Sequence, residues 1–548
     1  MRTGGREQEA PAPTAVPAAW TGAVRAKWAA AVVLTAAVLF FCYWRQSLSA
    51  PLSSDGSGNV LQAWAMLHGN LLLHNWWVSD VSFYTTELPQ YMLIAVLFGL
   101  GPWVVHIGAA MTYTLLVLLG ATLARGHADG REGLARALLA GGIMLAPQLN
   151  ATSILLLSPD HTGTAVPLLV TWLLIDRSAG FRTPWYVPPL VGLAFAWAMV
   201  ADAIVLLTGI IPLVLACLIR ACPGLIRRRS RPASRYELSL AGAAAVAGVA
   251  GSLAPRLIAA LGGFRQWPVG SDTDLAQLQH GSWVTLQAFL ELFGANAFST
   301  SDLGPNQPIE VVFAALHLAG AIAVACALGV GVKRFFRPGE LIVPVFAMAI
   351  VINLGAYMIS THAQDLLGAR EVAAVLPLGA VLAGRTLGGQ LATWPAARLR
   401  RAARTGLLAA LTVITAGYLA ALGYGAAQAP LPATNQPLAA WLTAHRLTGG
   451  LATYWQANST TVDTGGRVLV AAVTYDAAGR LAPYLWEADV ASYDPSLHYA
   501  NFVVADGPAA LPGMQTAAAA TFGPPARTYH ADGYTIMVWN KNLLRQRG

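Results

Sequence analysis

Long apolar stretches recur through most of the sequence, separated by shorter polar segments. Each stretch approaches the ~20 residues that a helix needs to cross ~30 Å of hydrocarbon, and each must be helical because lipid offers the backbone no hydrogen-bond partner. The pattern predicts a polytopic α-helical membrane protein with about 11 transmembrane helices, at residues 28–45, 103–124, 134–157, 163–176, 185–200, 203–219, 237–260, 309–331, 340–359, 371–388 and 405–427.

The polar segments define the domain organisation. Residues 1–27 are rich in proline and alanine and are expected to form a disordered cytoplasmic tail, ahead of a first helix that is retained and not cleaved as a signal peptide. The transmembrane domain then covers residues 28–427 and contains two long outside loops, 46–102 and 261–308.

Two apolar stretches within these loops are predicted to be helices that lie in the membrane interface. The stretch at 90–100 is short and contains glycine, and making it a twelfth span would place the basic residues of 125–136 outside. In the second loop, apolar and aromatic residues recur at helical spacing between 280 and 298, which is typical of an interfacial helix.

Residues 428–548 have a different composition, with more Asp, Asn, Tyr and Gly and no stretch of spanning length. We predict a small C-terminal α/β domain, with helices at 436–447 and 515–522 and strands at 451–455, 467–474, 500–505 and 533–540. It contains no phosphate loop, no dinucleotide-binding glycine motif and no clustered Cys/His motif.

Composition and charge agree with a bilayer environment, since 56% of residues are hydrophobic and only 11% are charged. With the N-terminus inside, every predicted inside loop is basic, which marks the cytoplasmic face, while most acidic residues of the loops lie outside. We therefore expect a multi-pass plasma-membrane protein with a cytoplasmic N-terminus and an extracytoplasmic C-terminal domain. The net charge of +8 is spread over separate short loops without interleaved aromatic residues, so no nucleic-acid partner is expected.

The first outside loop holds the main candidate for chemistry. Asp55 lies just past the first span in SSDGSGNVLQAWAMLHGN, followed by VSDVSFYTTELPQY with Tyr84, Glu87 and Pro89. This arrangement resembles the first extracytoplasmic loop of the GT-C superfamily of membrane glycosyltransferases, in particular the group of aminoarabinose transferases and protein O-mannosyltransferases. The resemblance implies a GT-C-like transmembrane fold and a catalytic role for Asp55. The alternative for Asp55 is a helix N-cap, a position that aspartate favours.

The resemblance also implies further site residues. Asp160, in LLSPDHTGTAV, occupies the place of a second functional acidic residue, with a helix cap as the alternative. Arg370 precedes an apolar helix with an internal proline and is the leading candidate to bind the lipid phosphate. Arg256 and Arg265 are weaker candidates. The alternative for Arg370 is snorkelling at the membrane interface or pairing with Glu371 or Asp365. Oligosaccharyltransferases of the superfamily bind a divalent metal ion through acidic loops, and Asp55, Asp160 and His161 are the candidate ligands for such an ion here, although their spacing matches no standard metal motif.

Substrate contacts are predicted from side chains that commonly hold sugars, namely His161, Glu87, Tyr84, Trp283, Tyr454 and Trp455. For Tyr454 and Trp455, aromatic core packing explains the same residues equally well. Two departures from the aminoarabinose transferases are evident, because Gly56 follows Asp55 where they have glutamate, and Leu88 follows Glu87 where they have a lysine for the lipid phosphate.

The function implied by the resemblance is transfer of a hexosyl or pentosyl group from a polyprenyl-phosphate donor to an extracytoplasmic lipid, glycan or protein, with Asp55 as the general base and no cofactor other than the candidate metal ion. A transporter or flippase of lipid-linked substrates is the first alternative, but it would call for mid-span ionisable residues and internal repeats, and neither is clear in the sequence. An inactive GT-C-fold scaffold is the second alternative, consistent with Gly56 and Leu88.

Overall fold

A computed structural model describes residues 22–157, 161–178, 184–221, 231–268, 273, 275–298, 308–335, 340–393 and 401–546. The chain divides into two compact units, residues 1–39 and residues 40–548. The described part of the first unit is helical. The second unit contains every element of the candidate site.

Helices make up most of the chain up to residue 426. They are α1 (Gly22–Ser47), α2 (Ser54–Leu67), α3 (Glu87–Phe98), α4 (Trp103–Arg125), α5 (Gly130–Ile143), α6 (Thr152–Leu155), α7 (Thr162–Ser178), α8 (Val187–Ala201), α9 (Ile211–Ala221), α10 (Arg231–Ala260), α11 (Leu278–Leu292), α12 (Pro308–Arg334), α13 (Ile342–Met358), α14 (Val375–Thr393) and α15 (Arg401–Ala426). A π-helical turn, Leu206–Ile210, precedes α9, and a 3₁₀ segment, Leu366–Val372, precedes α14.

Several of these helices are suited to a membrane. Among the described residues, five are long and apolar enough to cross it, and a sixth span results if the 3₁₀ segment and α14, bent by 56°, count as one. Shorter apolar helices, α8, α9 with its π turn, and α13, lie at other predicted spans. The chain is therefore a polytopic helical membrane protein, and the count of eleven spans stays a prediction.

The predicted span at 134–157 is wrong as a single helix. Helix α5 ends at Ile143 and is followed by a bend, a 3₁₀ turn and the one-turn helix α6. The physical reason lies in the sequence, where Gly141 and Gly142 weaken the helix and Pro147 cannot continue it.

The C-terminal segment forms a six-stranded mixed sheet in the order β5-β4-β3-β7-β9-β8. Its elements are α16 (Gln436–Ala444), β3 (Gly449–Ala452), α17 (Tyr454–Asp463), β4 (Leu469–Tyr475), β5 (Leu481–Pro483), β7 (Phe502–Asp506), α18 (Met514–Phe522), β8 (Arg527–Ala531) and β9 (Tyr534–Val538). Strand β3 runs parallel to β4 and β7. Since successive strand residues face opposite sides, Ala452 packs with α16 and α17 on one face, and Leu451 packs with α18 on the other.

A second, three-stranded sheet joins three parts of the chain that are far apart in sequence. Strand β1 (Trp76–Val78) of the first loop pairs in parallel with β2 (Arg265–Gln266) of the second loop and antiparallel with β6 (Ala488–Asp489) of the C-terminal segment. Sequence patterns did not predict β1, β2 or β6, because strands of two or three residues carry too little periodicity.

The C-terminal segment also packs directly on the first loop. Val462 of α17 is fully buried in a core that includes Val60 and Met66 of α2 and Leu88 and Tyr91 of α3. Burial of this apolar surface fixes α17 beside α2, the helix that contains Asp55.

Candidate active site

Asp55 lies in the first turn of α2 but does not cap it. The N-cap is Ser53, whose hydroxyl accepts a 3.0 Å hydrogen bond from the Gly56 amide. The Asp55 carboxylate is therefore free for other contacts. Its Oδ1 accepts a hydrogen bond from the Tyr454 hydroxyl, and its Oδ2 lies 3.8 Å from a guanidinium nitrogen of Arg370.

The C-terminal segment supplies a second carboxyl group beside Asp55. The Tyr454 hydroxyl is also 2.9 Å from Oε2 of Glu487, and Oε1 of Glu487 accepts a 3.0 Å hydrogen bond from the Asn59 amide. Glu487 is 1% exposed. Burial raises its pKa well above the usual value for a glutamate, and the nearby carboxylate of Asp55 raises it further.

Arg370 connects Asp55 to a further charged group. Its Nε lies 3.9 Å from Oε1 of Glu371, and Oε2 of Glu371 lies 3.3 Å from Nε2 of His161. The other ring nitrogen of His161 bonds at 2.8 Å to Asp202, which also accepts a 2.8 Å hydrogen bond from Thr164. Arg370 therefore contacts both Asp55 and Glu371, and the second contact is one of the alternatives that the sequence suggested.

His161 is held as a cation by these two carboxylates. Burial alone would lower its pKa, but Asp202 and Glu371 raise it well above the ordinary histidine value. Its backbone has a φ of 53°, a left-handed conformation that non-glycine residues adopt rarely. Because both ring nitrogens contact carboxylates, neither of them is directed at an open position for a metal ion.

The described residues do not fit a metal site. No group of three or more His, Cys, Asp or Glu side chains among them is arranged to hold an ion. Asp160, the predicted second catalytic carboxylate and a candidate metal ligand, lies outside the described residues.

Among the described residues, the weaker phosphate-binding candidates form no ion pair with Asp55. Arg256 is exposed on α10, and Arg265 of β2 places its guanidinium over the Trp77 ring, 5.8 Å from the centroid. Within the described part of the chain, neither guanidinium pairs with an acidic side chain. The structure thus brings one of the three predicted arginines, Arg370, to the Asp55 carboxylate.

The candidate substrate residues occupy different positions. Tyr84 donates a 2.8 Å hydrogen bond to the Leu71 carbonyl and packs on Phe264, while Trp283 packs on Phe298 and is 46% exposed. Trp455 is 53% exposed and contacts the Tyr454 ring edge-on at 5.2 Å between ring centroids. Of these residues, Trp455 is the exposed side chain nearest to the Asp55 network.

Glu87 is fully buried at the start of α3. It accepts a hydrogen bond from Thr86, and burial raises its pKa to about 7. A Cβ at Gly163 would lie 2.0 Å from its Oε1, so the absence of a side chain at Gly163 allows α3 and α7 to approach.

Glu487 is the residue that sequence reasoning missed. The available signal was a pair of acidic residues, Glu487 and Asp489, in the otherwise aromatic and apolar run YLWEADV, and such a pair by itself identifies no site. Nothing in the sequence joins Glu371 or Asp202 to His161 either.

Comparison with known proteins identifies the fold. No protein-family model matches the chain, and no curated protein sequence matches it. ArnT from Cupriavidus metallidurans bound to undecaprenyl phosphate is 15% identical, with a TM-score of 0.53 over 93% of this chain and 98% of that one. Its apo state is 16% identical, with a TM-score of 0.52 over 96% and 99% of the two chains.

An oligosaccharyltransferase from Archaeoglobus fulgidus in the apo form is also similar, at 14% identity and a TM-score of 0.48 over 81% of this chain. The chain spans 64% of that protein's length. The resemblance over nearly the whole length of ArnT, a GT-C superfamily member, shows that this chain has the GT-C fold.

Proposed function

We propose that the protein is a glycosyltransferase that moves a sugar from a polyprenyl-phosphate donor to a hydroxyl group of an extracytoplasmic acceptor. The observation that carries this proposal is the pairing of Asp55 with Arg370, which sets a candidate base beside a candidate phosphate ligand. The fold supports it, since ArnT with the same fold has been solved with undecaprenyl phosphate bound.

Asp55 is the proposed general base. It accepts the proton of the acceptor hydroxyl while the acceptor oxygen bonds to the anomeric carbon of the sugar and the bond from that carbon to the phosphate oxygen breaks. General-base assistance is worth about 10² to 10⁴ in rate. The Asp55 side chain is 28% exposed and so remains accessible to an acceptor.

Arg370 is the proposed ligand of the departing phosphate. Breaking the sugar–phosphate bond leaves added negative charge on the phosphate, which a fixed guanidinium stabilises through charge-assisted hydrogen bonds. Its side chain is 45% exposed and is therefore accessible to a phosphate oxygen.

The remaining expectations belong to the same proposal. Asp160, next to His161 in sequence, is the candidate for a second catalytic carboxylate, and Trp455 is a candidate for acceptor contact. The proposed topology has about 11 spans, a cytoplasmic N-terminus and an extracytoplasmic C-terminal domain. A hexosyl or pentosyl donor and a lipid, glycan or protein acceptor fit this arrangement.

The test uses the purified full-length protein in proteoliposomes with undecaprenyl phosphate carrying a radiolabelled hexose or pentose, and cell-envelope extract as the acceptor. We expect label to leave the lipid, appear on the acceptor and free undecaprenyl phosphate. Label that crosses the bilayer while still attached to lipid would support a transporter instead. Label that neither moves nor is released with any donor would support an inactive scaffold.

A further inference from the structure

The Tyr454 hydroxyl lies between two carboxyl groups that come from distant parts of the chain. It hydrogen-bonds to Oδ1 of Asp55 and lies 2.9 Å from Oε2 of Glu487. A phenol carries one proton, and an ionised carboxylate only accepts hydrogen bonds. Two ionised carboxylates would therefore leave one of these contacts without a proton.

The hydrogen-bond count around Glu487 points to a proton on its own carboxyl group. Its Oε1 accepts from Asn59, which leaves Oε2 facing Tyr454. The hydroxyl of Ser79, which also contacts Glu487, donates to the Val81 carbonyl at 2.6 Å. Since the Ser79 proton goes to Val81, it is not donated to Glu487. The contact between Oε2 of Glu487 and the Tyr454 hydroxyl is then satisfied if Glu487 is protonated and donates to Tyr454.

The surroundings of the two acids place the proton on Glu487 and the charge on Asp55. Glu487 is 1% exposed and faces the carboxylates of Asp55 and Asp80 and the phenols of Tyr454 and Tyr484. Among the described residues, no basic side chain pairs with it. Burial raises the pKa of Glu487 well above its usual value.

Asp55 has the opposite surroundings. Its side chain is partly exposed, it lies in the first turn of α2, where the helix dipole favours negative charge, and Arg370 is 3.8 Å away.

The backbone holds Glu487 in a conformation that is rare for its residue type. Its φ is 48°, in the left-handed region. The next two residues, Ala488 and Asp489, pair with Trp77 and Trp76 of β1, so the small sheet fixes the direction in which Glu487 points. Its carboxyl group fits against α2 because Gly58 has no side chain.

We propose that Tyr454 and Glu487 are positioning residues for Asp55, forming a relay in which protonated Glu487 donates to Tyr454 and Tyr454 donates to Oδ1 of Asp55. Oδ2, on the Arg370 side, is then the oxygen that takes the acceptor proton. Because both positioning residues belong to the C-terminal segment, the site is incomplete without it. This inference rests on the proposed function, in which Asp55 is the base.

The test compares sugar transfer by Glu487→Gln, Glu487→Ala and Tyr454→Phe. Glutamine keeps a donor for Tyr454 and an acceptor for Asn59, so we expect kcat within about threefold of wild type. Alanine removes the donor and phenylalanine breaks the relay, and each should lower kcat about tenfold, the effect of one hydrogen bond, with the KM for the donor unchanged. Tyr475→Phe is the matched control, because that hydroxyl bonds to the Pro512 carbonyl elsewhere in the C-terminal segment.

A positioning role also changes the pH dependence. Without the Tyr454 hydroxyl, the charged form of Asp55 loses a hydrogen bond, and the acidic limb of the kcat profile should move to higher pH in Tyr454→Phe. A purely structural role would lower the amount of active enzyme and leave the profile in place. An unchanged profile with unchanged kcat would overturn the relay.

A spectroscopic measurement is independent of turnover. The infrared difference spectrum of wild type minus Glu487→Gln at pH 7 should contain the C=O band of a protonated carboxyl group. If that band is missing, or if Glu487→Gln loses as much activity as Asp55→Asn, Glu487 acts as a carboxylate and the relay is wrong. If Asp55→Asn keeps full activity, the proposed function fails, whatever the infrared result.

Discussion

Gly58 shows how one residue controls the geometry around Asp55. A Cβ at this position would lie 2.3 Å from Oε2 and 3.0 Å from Cβ of Glu487. The first distance is shorter than real Cβ contacts allow and the second is unusually tight, so any side chain at residue 58 must displace Glu487. The pattern SSDGSGN therefore provides the acidic residue Asp55 and, at Gly58, the space that Glu487 of the C-terminal segment requires.

We predict that Gly58→Ala lowers both stability and sugar transfer. The gain in helix propensity, about 0.5–1 kcal/mol, is outweighed by overpacking, which costs about 1–3 kcal/mol, and the displaced Glu487 no longer supports Tyr454. Thermal unfolding in detergent and the transfer rate measure the two effects. Gly242→Ala is the control, since a Cβ there meets no atom within 4 Å; equal behaviour of the two variants would contradict the packing.

Sequence reasoning selected Asp55 and Arg370 as candidates because each has a local signal, one at the start of a loop after a span and one before an apolar helix. It could not identify Glu487, which approaches Asp55 through the fold and has no local motif. It also could not distinguish the roles of Tyr454 and Trp455, since adjacent aromatic residues look alike in sequence, whereas one is 8% and the other 53% exposed.

At the scale of elements, α17 is the main difference between expectation and structure. A strand was predicted at 451–455, and the residues after it carried no helical prediction, yet Tyr454–Asp463 is a helix. Its Asn, Ser, Thr and Val residues are poor helix formers. The helix is stabilised by packing between α2 and β4, which buries most of its residues, and such tertiary support is invisible in local sequence.

Asp463, at the end of α17, provides a prediction about pH. Burial raises its pKa to about 7, and among the described residues neither carboxylate oxygen has a hydrogen-bond partner. The folded state thus binds this proton more tightly than the unfolded chain. The stability it contributes is complete below about pH 4, the range of an unperturbed aspartate, and is lost as pH rises to about 7.

Asp463→Asn, which mimics the protonated acid, should therefore match wild type below about pH 4 and be more stable at pH 8. The difference is at most about 4 kcal/mol, since one pKa unit corresponds to about 1.4 kcal/mol. Thermal unfolding at several pH values measures it. The exposed Asp129→Asn serves as the control, and parallel curves for wild type and Asp463→Asn would refute the assignment.

At the scale of the whole molecule, hydrophobic patterning predicted the helical membrane architecture and, in the C-terminal segment, helices α16 and α18 and strands β4, β7 and β9. It failed at 134–157, where glycine and proline interrupt an apolar run, and it missed the small sheet that joins both loops to the C-terminal segment. Long periodic segments carry a strong signal, while short strands depend on partners far away in sequence.

The orientation predicted from the basic loops is testable with single cysteines in a variant lacking Cys42, Cys217, Cys222 and Cys326. A membrane-impermeant maleimide should label Leu497→Cys in intact cells, because residue 497 is exposed in the C-terminal segment. Asp129→Cys, between α4 and α5 with an exposed side chain, should be labelled only after permeabilisation. The reverse pattern would invert the topology.

The most direct measurement of the central claim is the rate at which undecaprenyl phosphate is released from its sugar-linked form by wild type and by Asp55→Asn, with binding of undecaprenyl phosphate measured in parallel. If Asp55 is the general base, Asn, which cannot take the proton, should bind the lipid like wild type and release it at least about 10²-fold more slowly. Release by Asp55→Asn within threefold of the wild-type rate would contradict the account.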